Sequence, residues 1–225
     1  MYQENLFSHN WLIKKALNAV IGTRLKDLHG VVVDLGCGSR PFEPDIRQHA
    51  DAYYGIDWMS SYHESVADIV ANLNVAIPLL DQSVGHVVSF EVLEHLSSPH
   101  VMLSEALRVL RSGGELTVTV PFQWWEHEEP WDFFRYTSHG LRHLLESAGF
   151  DSIIVVPTTG FWSMWILKLN YQLARLIRGS ALTRKAIRLL LIPVWWVGQT
   201  AARFLDNHWD EVRETAGYFV TARKP

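Results

Sequence analysis

The sequence predicts an α/β protein with a doubly wound, mostly parallel sheet. Short apolar runs rich in β-branched residues alternate along the chain with amphipathic helical segments, and this alternation is typical of parallel strands joined by helices. In addition, the apolar run at residues 31–35 is followed by glycines, and the next run, at residues 53–57, ends in an acid. Glycines and an acid in these places are typical of a nucleotide site at the carboxyl edge of such a sheet.

Each further element follows from the same kind of pattern. Apolar residues at helical spacing predict a helix at residues 9–28. The helix predicted at 99–110 is followed by glycines at 113–114, and the helix predicted at 138–148 is followed by Gly149. Glycines commonly stand just beyond the end of a helix. The remaining strands are predicted at residues 86–91, 115–120, 150–156 and 218–222.

Length and composition favour a single globular domain over residues 1–225. With 48% apolar and 20% charged residues, the chain is too apolar for a disordered protein. Its net charge of -4 does not suit a nucleic-acid binder, so we predict no nucleic-acid partner. The single cysteine leaves no intrachain disulfide and favours a reducing, cytoplasmic location. Neither a signal peptide nor a transmembrane helix is predicted.

Residues 161–205 differ from the rest of the chain in composition. This segment contains seven basic residues, no acidic residue and four of the ten tryptophans. It predicts a helical insertion or subdomain of two helices divided near Gly179 and Ser180, with Pro193 interrupting the second helix. Basic amphipathic helices with tryptophans can lie in a membrane interface, which predicts peripheral contact with the inner membrane surface. The alternative is that these helices pack on the domain or against another subunit, as in a homodimer.

The turn after the first strand predicts a nucleotide site that holds no phosphate. Gly36 and Gly38 let backbone and ligand approach closely, because glycine has no side chain in the way. Asp57 lies 19 residues beyond Gly38, where a carboxylate can accept hydrogen bonds from both ribose hydroxyls. A dinucleotide site would have a third glycine where Pro41 stands. A phosphate-free cofactor is therefore favoured, and an NAD-type oxidoreductase is the less favoured alternative.

Five motifs together resemble the class I S-adenosyl-L-methionine (SAM) dependent methyltransferases, and look most like their type 11 group. In chain order they are VVDLGCG at residues 32–38, GID at 55–57, FEVLEHL at 90–96, RVLRSGG at 108–114 and VPF at 120–122. The run GYFVTARK at residues 217–224 looks like the last strand of that family. The resemblance implies SAM as the cofactor. It also implies a Rossmann-like sheet with an antiparallel last strand and a helical insertion before it.

The resemblance implies a cofactor-binding role for seven residues: Asp34, Gly36, Gly38, Asp57, Asn72, Leu73 and Glu91. Gly36 and Gly38 would lie against the methionine and ribose portions of SAM. Asp57 would hold the ribose hydroxyls, and Asp34 would orient the loop or meet the amino group through water.

The other three residues would contact the adenine and methionine ends of SAM. Asn72 stands where the family usually has an acid that contacts the adenine amino group, and an amide oxygen can still accept that hydrogen bond. The backbone of Leu73 would reach the ring, and Glu91 would lie beside the methionine part.

Residues 121–137 are predicted to form a lid over the acceptor pocket, because this segment follows a strand at the same sheet edge. His127 is the best candidate for the base that an oxygen acceptor needs. With Asp132 and Arg135 it resembles a pattern in bacterial members that are associated with surface-polysaccharide or other carbohydrate modification. We therefore predict in-line O-methylation of a small molecule or glycan. The alternative for Arg135 is an ion pair with Asp132 or Glu129 that holds the loop.

His95 is a second candidate for proton transfer, with the alternative that it braces the helix after its strand. Glu91, Glu94 and His95 also resemble the Glu-x-x-Glu-His ligand run of metal-assisted methyltransferases that act on small RNAs and ubiquinone precursors. His127 or Asp132 could complete such a set. The same run occurs in relatives for which no metal is implied, so no metal is predicted. The remaining alternative is a non-catalytic SAM-binding protein that associates with a membrane or a partner.

Overall fold

The structure is a computed structural model that describes residues 1–58, 66–209 and 211–225. Within it the chain forms two compact units. The first consists of Met1, Ile21–Val156 and Gly217–Pro225, and it holds the sheet. The second consists of Tyr2–Val20 and Pro157–Ala216. The single domain over the whole chain, with its helical insertion, stays a prediction.

A mostly parallel, seven-stranded sheet organises the first unit. Its strands are β1 (Val31–Leu35), β2 (Ala52–Asp57), β3 (Ile69–Val70), β4 (Val84–Phe90), β5 (Leu110–Pro121), β6 (Asp151–Pro157) and β7 (Gly217–Arg223). They lie in the order β3-β2-β1-β4-β5-β7-β6. β1 pairs in parallel with β2 and β4, whereas β7 pairs antiparallel with β5. The predicted fold class, with its antiparallel last strand, is confirmed.

The helices of the described residues agree closely with the predicted ones. They are α1 (Trp11–Leu25), α2 (Glu43–Ile46), α3 (Pro99–Val109), α4 (Ser138–Ala148), α5 (Phe161–Ala174) and α6 (Ala181–His208). The short α2 was not predicted. α1 is shorter than the predicted 9–28, because the amides of Asp27 and Leu28 bond three residues back instead of four. Within the described residues, no helix is long and apolar enough to cross a membrane.

The central strands are buried along almost their entire length. Val32, Val33 and Leu35 of β1 and Val87 and Val88 of β4 are all buried. Strands covered on both faces need apolar residues at successive positions. This burial explains why the sequence shows continuous apolar runs there instead of alternation.

Gly113 and Gly114 do not end α3, contrary to the prediction. α3 has already ended when Leu110 pairs with Val84 as the first residue of β5, and the register of the two strands shifts directly after this pair. Gly113 adopts a φ of +73°, and a Cβ on Gly114 would lie 2.8 Å from the carbonyl oxygen of Arg111. The glycines therefore serve an irregularity within β5, which makes this strand longer than predicted.

Two helices, α5 and α6, pack against each other in the second unit. The chain breaks between them where predicted, since Gly179 adopts a φ of +93° and the hydroxyl of Ser180 accepts a hydrogen bond from the amide of Thr183. This cap begins α6. The helices approach closely at Gly198, where an added Cβ would lie 3.4 Å from a side-chain carbon of Ile166.

Pro193 does not interrupt α6, which continues as one helix of 28 residues. Proline removes one helical N–H and leaves the carbonyl four residues earlier without its helical partner. That carbonyl belongs to Leu189, an exposed residue, whereas Leu191 and Trp195 lie on the buried side. Packing of the buried side maintains the helix, and water can solvate the carbonyl on the other side.

Replacement of Leu103 by alanine tests the core of the first unit. Leu103 lies on α3 and is fully buried in the core. Leu103→Ala leaves a cavity and should lower the free energy of unfolding by about 2–5 kcal/mol, as measured by urea denaturation. Leu80, which is 81% exposed, provides the matched control, and Leu80→Ala should change the same quantity by less than about 0.5 kcal/mol. Equal effects of the two substitutions would contradict this placement of Leu103.

Candidate functional site

The turn after β1 contains two glycines that are needed for different reasons. Gly36 adopts a φ of +75° and Gly38 a φ of +49°, a region that other residues rarely adopt. A Cβ on Gly36 would lie 2.3 Å from Cγ2 of Val92, so packing requires this glycine. A Cβ on Gly38 would meet no atom of the described residues within 4 Å. The bare backbone at Gly38 therefore borders open space that a ligand can occupy.

Asp57, at the end of β2, holds the glycine turn in place. Its Oδ2 accepts a 2.7 Å hydrogen bond from the amide of Gly38, and its Oδ1 accepts one of 2.6 Å from the amide of Trp58. Asp57 is buried, with 9% of its surface exposed. Carboxylate oxygens accept more than one hydrogen bond, so both can also take the ribose hydroxyls that the resemblance implies.

Asp34 is buried within β1. Its Oδ2 accepts a 2.7 Å hydrogen bond from the hydroxyl of Tyr53 on the neighbouring strand β2. Burial raises the pKa of Asp34 to about 7. Of the two roles that the resemblance implies for Asp34, the buried position favours orienting the loop over contact with the amino group of SAM.

The segment after the turn does not suit a phosphate group. α2 begins at Glu43 and has Asp45 in its first turn, so acidic side chains stand where a phosphate-binding helix would be electropositive. Arg40 is paired with Asp68 at 2.9 Å and with Glu43 at 3.6 Å. These surroundings fit SAM, which contains no phosphate, and do not fit the pyrophosphate of a dinucleotide.

Asn72 and Leu73 lie in a turn after β3, next to the end of β2. The amide of Ala71 donates a 3.0 Å hydrogen bond to the carbonyl of Asp57, and Oδ1 of Asn72 accepts one of 3.0 Å from the amide of Asn74. The Asn72 side chain is exposed, whereas Leu73 is buried. The second lone pair of the Asn72 oxygen remains able to accept a hydrogen bond from an adenine amino group.

Glu91 stands one residue beyond the end of β4, so the predicted strand 86–91 ends at Phe90. Its φ of +56° is unusual for a residue with a side chain and is typical of functional sites. The amide donates a 3.0 Å hydrogen bond to the carbonyl of Thr119 on β5. Loss of hydration raises the pKa of the Glu91 carboxyl to about 7.

Glu94 is fully buried in the single 3₁₀ turn Leu93–His95. Neither of its carboxyl oxygens has a hydrogen-bond partner among the described residues. Burial is the largest cause that raises the pKa of Glu94 well above its usual range, and the charge of Glu91 is the second. A buried acid without partners costs stability, and such groups are concentrated at functional sites.

The lid is fastened to the turn that contains Glu94. The amides of Phe133 and Phe134 donate hydrogen bonds of 2.9 and 3.3 Å to the carbonyl oxygen of Glu94. The hydroxyl of Tyr136 donates one of 3.0 Å to the carbonyl of Leu93. Since the lid follows β5, and β5 pairs in parallel with β4, the lid and this turn share the carboxyl edge of the sheet.

Arg135 and Asp132 form a two-point ion pair within the lid. Nη1 and Nη2 of Arg135 each donate a 2.7 Å hydrogen bond to one carboxylate oxygen of Asp132, and Nη2 also donates to the carbonyl of Trp125 at 2.7 Å. Burial opposes ionisation of Asp132. The hydrogen bonds from Arg135 and from the amide of His127 nevertheless lower the pKa of Asp132 to about 2. This arrangement matches the alternative in which Arg135 holds the loop.

His127 lies beside this ion pair with its ring partly exposed. Its Nδ1 is 3.3 Å from Oδ2 of Asp132 and 3.4 Å from Nη2 of Arg135. Burial is the largest cause that lowers the pKa of His127 below its usual value, and the neighbouring His95 is the second. The imidazole is therefore neutral at neutral pH, as a general base must be.

Glu94, His95 and His127 form a cluster that could hold a metal ion. One ligand atom from each residue lies within 4.8 Å of the others. Nδ1 of His95 is 2.8 Å from the carbonyl of Trp131, so this nitrogen carries the hydrogen and Nε2 keeps its lone pair. Two imidazoles and one carboxylate suit a transition metal better than magnesium. Glu91, which the alternative based on the motif included, is not part of this cluster.

The site also contains exposed aromatic side chains, none of which was named from the sequence as a site residue. Trp58 directly follows Asp57. Its ring packs edge to face against the ring of Trp131 in the lid, with the ring centroids 5.4 Å apart. Phe133 and Phe134 are also exposed. The available signals were the aromatic density of the lid and the position of Trp58 after the acid that ends β2.

Comparison with known sequences gives a consistent result. The model of the methyltransferase domain family matches residues 6–154, which is more than half of the chain. A protein of Mycolicibacterium smegmatis named "probable S-adenosylmethionine-dependent methyltransferase" is 31% identical over 132 residues, covering 53% of this chain and 51% of that protein. The chain thus spans about half the length of this curated relative.

Two solved structures resemble the fold at low sequence identity. A chain from the Haloferax volcanii complex of the Trm112 methyltransferase activator matches with a TM-score of 0.60 at 18% identity, covering 100% of both chains. Phosphoethanolamine N-methyltransferase 2 of Haemonchus contortus, solved with S-adenosylhomocysteine, matches with a TM-score of 0.60 at 15% identity. That match covers 98% of this chain and 57% of the other. At these identities the likeness concerns the fold alone.

The buried carboxyl of Glu94 should make stability depend on pH. Because its folded pKa is raised, the folded state binds more protons than the unfolded state once the pH exceeds about 4.5, the ordinary value. Glu94→Gln removes this effect. The variant should therefore gain stability relative to the wild-type chain as the pH rises above about 4.5, as measured by urea denaturation across a pH series.

Glu105 offers a control of opposite sign. Hydrogen bonds from Arg108 lower the pKa of Glu105, so its carboxylate stabilises the fold above the ordinary pKa, and this stabilisation is lost as the pH falls through the lowered value. Glu105→Gln should therefore be less stable than the wild-type chain at neutral pH. Parallel pH profiles for Glu94→Gln and the wild-type chain would refute a buried, protonated Glu94.

Proposed function

Because this chain belongs to the class I SAM-dependent methyltransferases, we propose that it transfers a methyl group from SAM to a hydroxyl oxygen of a small molecule or glycan. The observation that carries the proposal is the position of His127, whose Nδ1 lies 3.3 Å from Oδ2 of Asp132 in the Asp132–Arg135 pair and whose pKa is lowered by burial. The residues proposed to act in the transfer are His127, His95, Asp132 and Arg135. Those proposed to bind the cofactor are Asp34, Gly36, Gly38, Asp57, Asn72, Leu73 and Glu91.

The cofactor site is proposed to lie across the ends of β1, β2 and β4. The open backbone at Gly38 accommodates the ribose, Asp57 accepts its hydroxyls, and Asn72 accepts from the adenine amino group. Glu91, with its strained backbone, lies next to the methionine portion. When bound, SAM supplies a methyl group already activated by a positive sulfur, so the chain mainly has to align the acceptor with it.

Proton removal from the acceptor is assigned to His127. A hydroxyl oxygen loses its proton as its bond to the methyl carbon forms, and a neutral imidazole can take that proton. For Nε2 to take the proton of the acceptor, Nδ1 of His127 must carry the ring hydrogen and face Oδ2 of Asp132 at 3.3 Å, instead of accepting a hydrogen bond from Nη2 of Arg135 at 3.4 Å. Asp132 is a positioning residue, because it accepts a hydrogen bond from the amide of His127 and lies where its charge stabilises the imidazolium that forms.

The exposed aromatic rings support an acceptor with apolar faces. Trp58, Trp131 and Phe133 lie exposed at the edge of the sheet where the lid begins and β2 ends. Aromatic walls with a few polar groups are typical of small-molecule sites. Flat apolar faces edged with hydroxyls are a property of sugar rings, so a glycan fits this combination of aromatic, acidic and imidazole groups.

The charge of the chain argues against a nucleic-acid acceptor. Residues 161–205 contribute +7 to a net charge of -4, so the remainder of the chain carries -11. Recognition of a phosphate backbone requires a basic surface. A homodimer, a cytoplasmic location and contact with the inner membrane surface stay predictions from the sequence and are separate from this proposal.

Removal of the Asp57 carboxylate tests the cofactor site. Asp57→Ala loses the acceptor of the ribose hydroxyls and the anchor of the Gly38 amide. We expect the dissociation constant for SAM to rise about tenfold to a hundredfold in a calorimetric titration. Asp51→Ala, at an exposed aspartate just before β2, is the control and should bind SAM normally. Unchanged affinity of Asp57→Ala would overturn this placement of the ribose.

Removal of the His127 imidazole tests the reaction. His127→Ala should lower kcat by a factor of about 10²–10⁴ with hydroxyl acceptors, without change in SAM affinity. The readout is release of S-adenosylhomocysteine with panels of hydroxylated small molecules, glycans and amines. His139→Ala, at an exposed histidine on α4, is the control. Wild-type activity should be constant near neutral pH and fall at acid pH, where His127 becomes protonated.

The same assay distinguishes a general base from a metal ligand. Activity that survives chelation and dialysis, together with a large loss in His127→Ala, supports the base. Transfer to amines alone, or full activity of His127→Ala toward hydroxyls, would contradict O-methylation through His127.

A further inference from the structure

One side of α6 is fixed by contacts within its own unit. Leu191, Trp195 and Gln199 recur at helical spacing and are buried. Nε2 of Gln199 donates a 2.8 Å hydrogen bond to the carbonyl of Leu6, and the ring of His9 lies 5.6 Å from that of Trp195. These contacts determine which side of α6 points outward.

The outward side of α6 is apolar along almost the whole helix. At about 100° per residue, its exposed apolar side chains fall within one sector of about 160°. These side chains are Leu182, Leu189, Leu190, Val194, Trp196, Val197 and Phe204. Thr183, Ala186, Pro193, Thr200, Ala201, Asn207 and His208 complete the sector. A largely apolar surface without Asp, Glu, Lys or Arg marks a site of contact with another molecule or with a membrane.

Charge identifies the partner of this surface. Lys185 and Arg203 are exposed and lie along one border of the apolar sector, within a segment of seven basic residues and no acidic one. A second copy of the same surface would bring like charges together with no acid in the segment to pair them. Anionic lipid headgroups would neutralise these charges while the acyl chains accept the apolar side chains.

We propose that α6 lies parallel to the surface of an anionic bilayer, with its outward side at the boundary between headgroups and acyl chains. Its 28 residues span about 42 Å along that surface. Trp196 lies at the border of the apolar sector, and tryptophan rings favour the level of the headgroups. Lys185 and Arg203 reach the lipid phosphates from the same border. This contact is independent of the methyl acceptor.

Vesicle flotation with the full chain tests the proposal. The wild-type chain should float with vesicles of phosphatidylcholine and phosphatidylglycerol, and much less with phosphatidylcholine alone. Leu189→Glu/Leu190→Glu/Val197→Glu should abolish flotation. Lys185→Gln/Arg203→Gln should lower the partition coefficient about fivefold per removed charge, and added salt should weaken the binding of the wild-type chain. Brominated acyl chains should quench part of the wild-type tryptophan fluorescence.

Controls separate lipid contact from misfolding and from self-association. Leu80→Glu, at another highly exposed leucine, should float like the wild-type chain, and circular dichroism should show all variants folded. Equal flotation of the triple glutamate variant and the wild-type chain would overturn the proposal. So would failure of the wild-type chain to bind anionic vesicles, above all if light scattering shows a dimer that the glutamates dissociate.

Discussion

Parallel pairing of β1 with β2 on one side and with β4 on the other is the constraint on which the site depends. Because these strands run in the same direction, the glycine turn, Asp57 and Glu91 all follow strand ends at one edge of the sheet. β5 continues this arrangement and delivers the lid to the same edge. The common direction of the strands thus brings elements that are far apart in sequence to the same edge of the sheet. The short hydrogen bonds from the Gly38 and Trp58 amides to Asp57 then fix the local geometry.

Electrostatics within this edge divide the acids into two classes. Burial raises the pKa of Glu94, whose carboxyl oxygens have no hydrogen-bond partner among the described residues, whereas hydrogen bonds from the bidentate Arg135 lower the pKa of Asp132 to about 2. The difference arises from what each carboxyl group meets when it loses water. An ionised Asp132 can stabilise positive charge on His127, whose Nδ1 lies 3.3 Å away.

The second unit follows a different principle, because its helices present apolar residues on two opposite sides. One side of α6 packs against its own unit, where Trp195 and Gln199 are buried. The other side remains available and is bordered by basic side chains. A helix that served only to connect β6 with β7 along the chain would have no need of a second apolar side. Substitutions at the sheet edge and substitutions on the outward side of α6 can therefore be tested separately.

The sequence by itself determined the fold class, the glycine turn and the acid that ends β2, because these depend on local patterns and on backbone rules. It also indicated the division between α5 and α6. Only the tertiary structure decided that Gly36 is required by Val92, that Gly113 and Gly114 serve an irregularity in β5, and that α6 continues through Pro193. It likewise revealed that the carboxyl oxygens of Glu94 have no hydrogen-bond partner among the described residues, and that Glu91 lies outside the cluster of Glu94, His95 and His127 that the motif had indicated. These features depend on residues distant in sequence, so no local pattern could have predicted them.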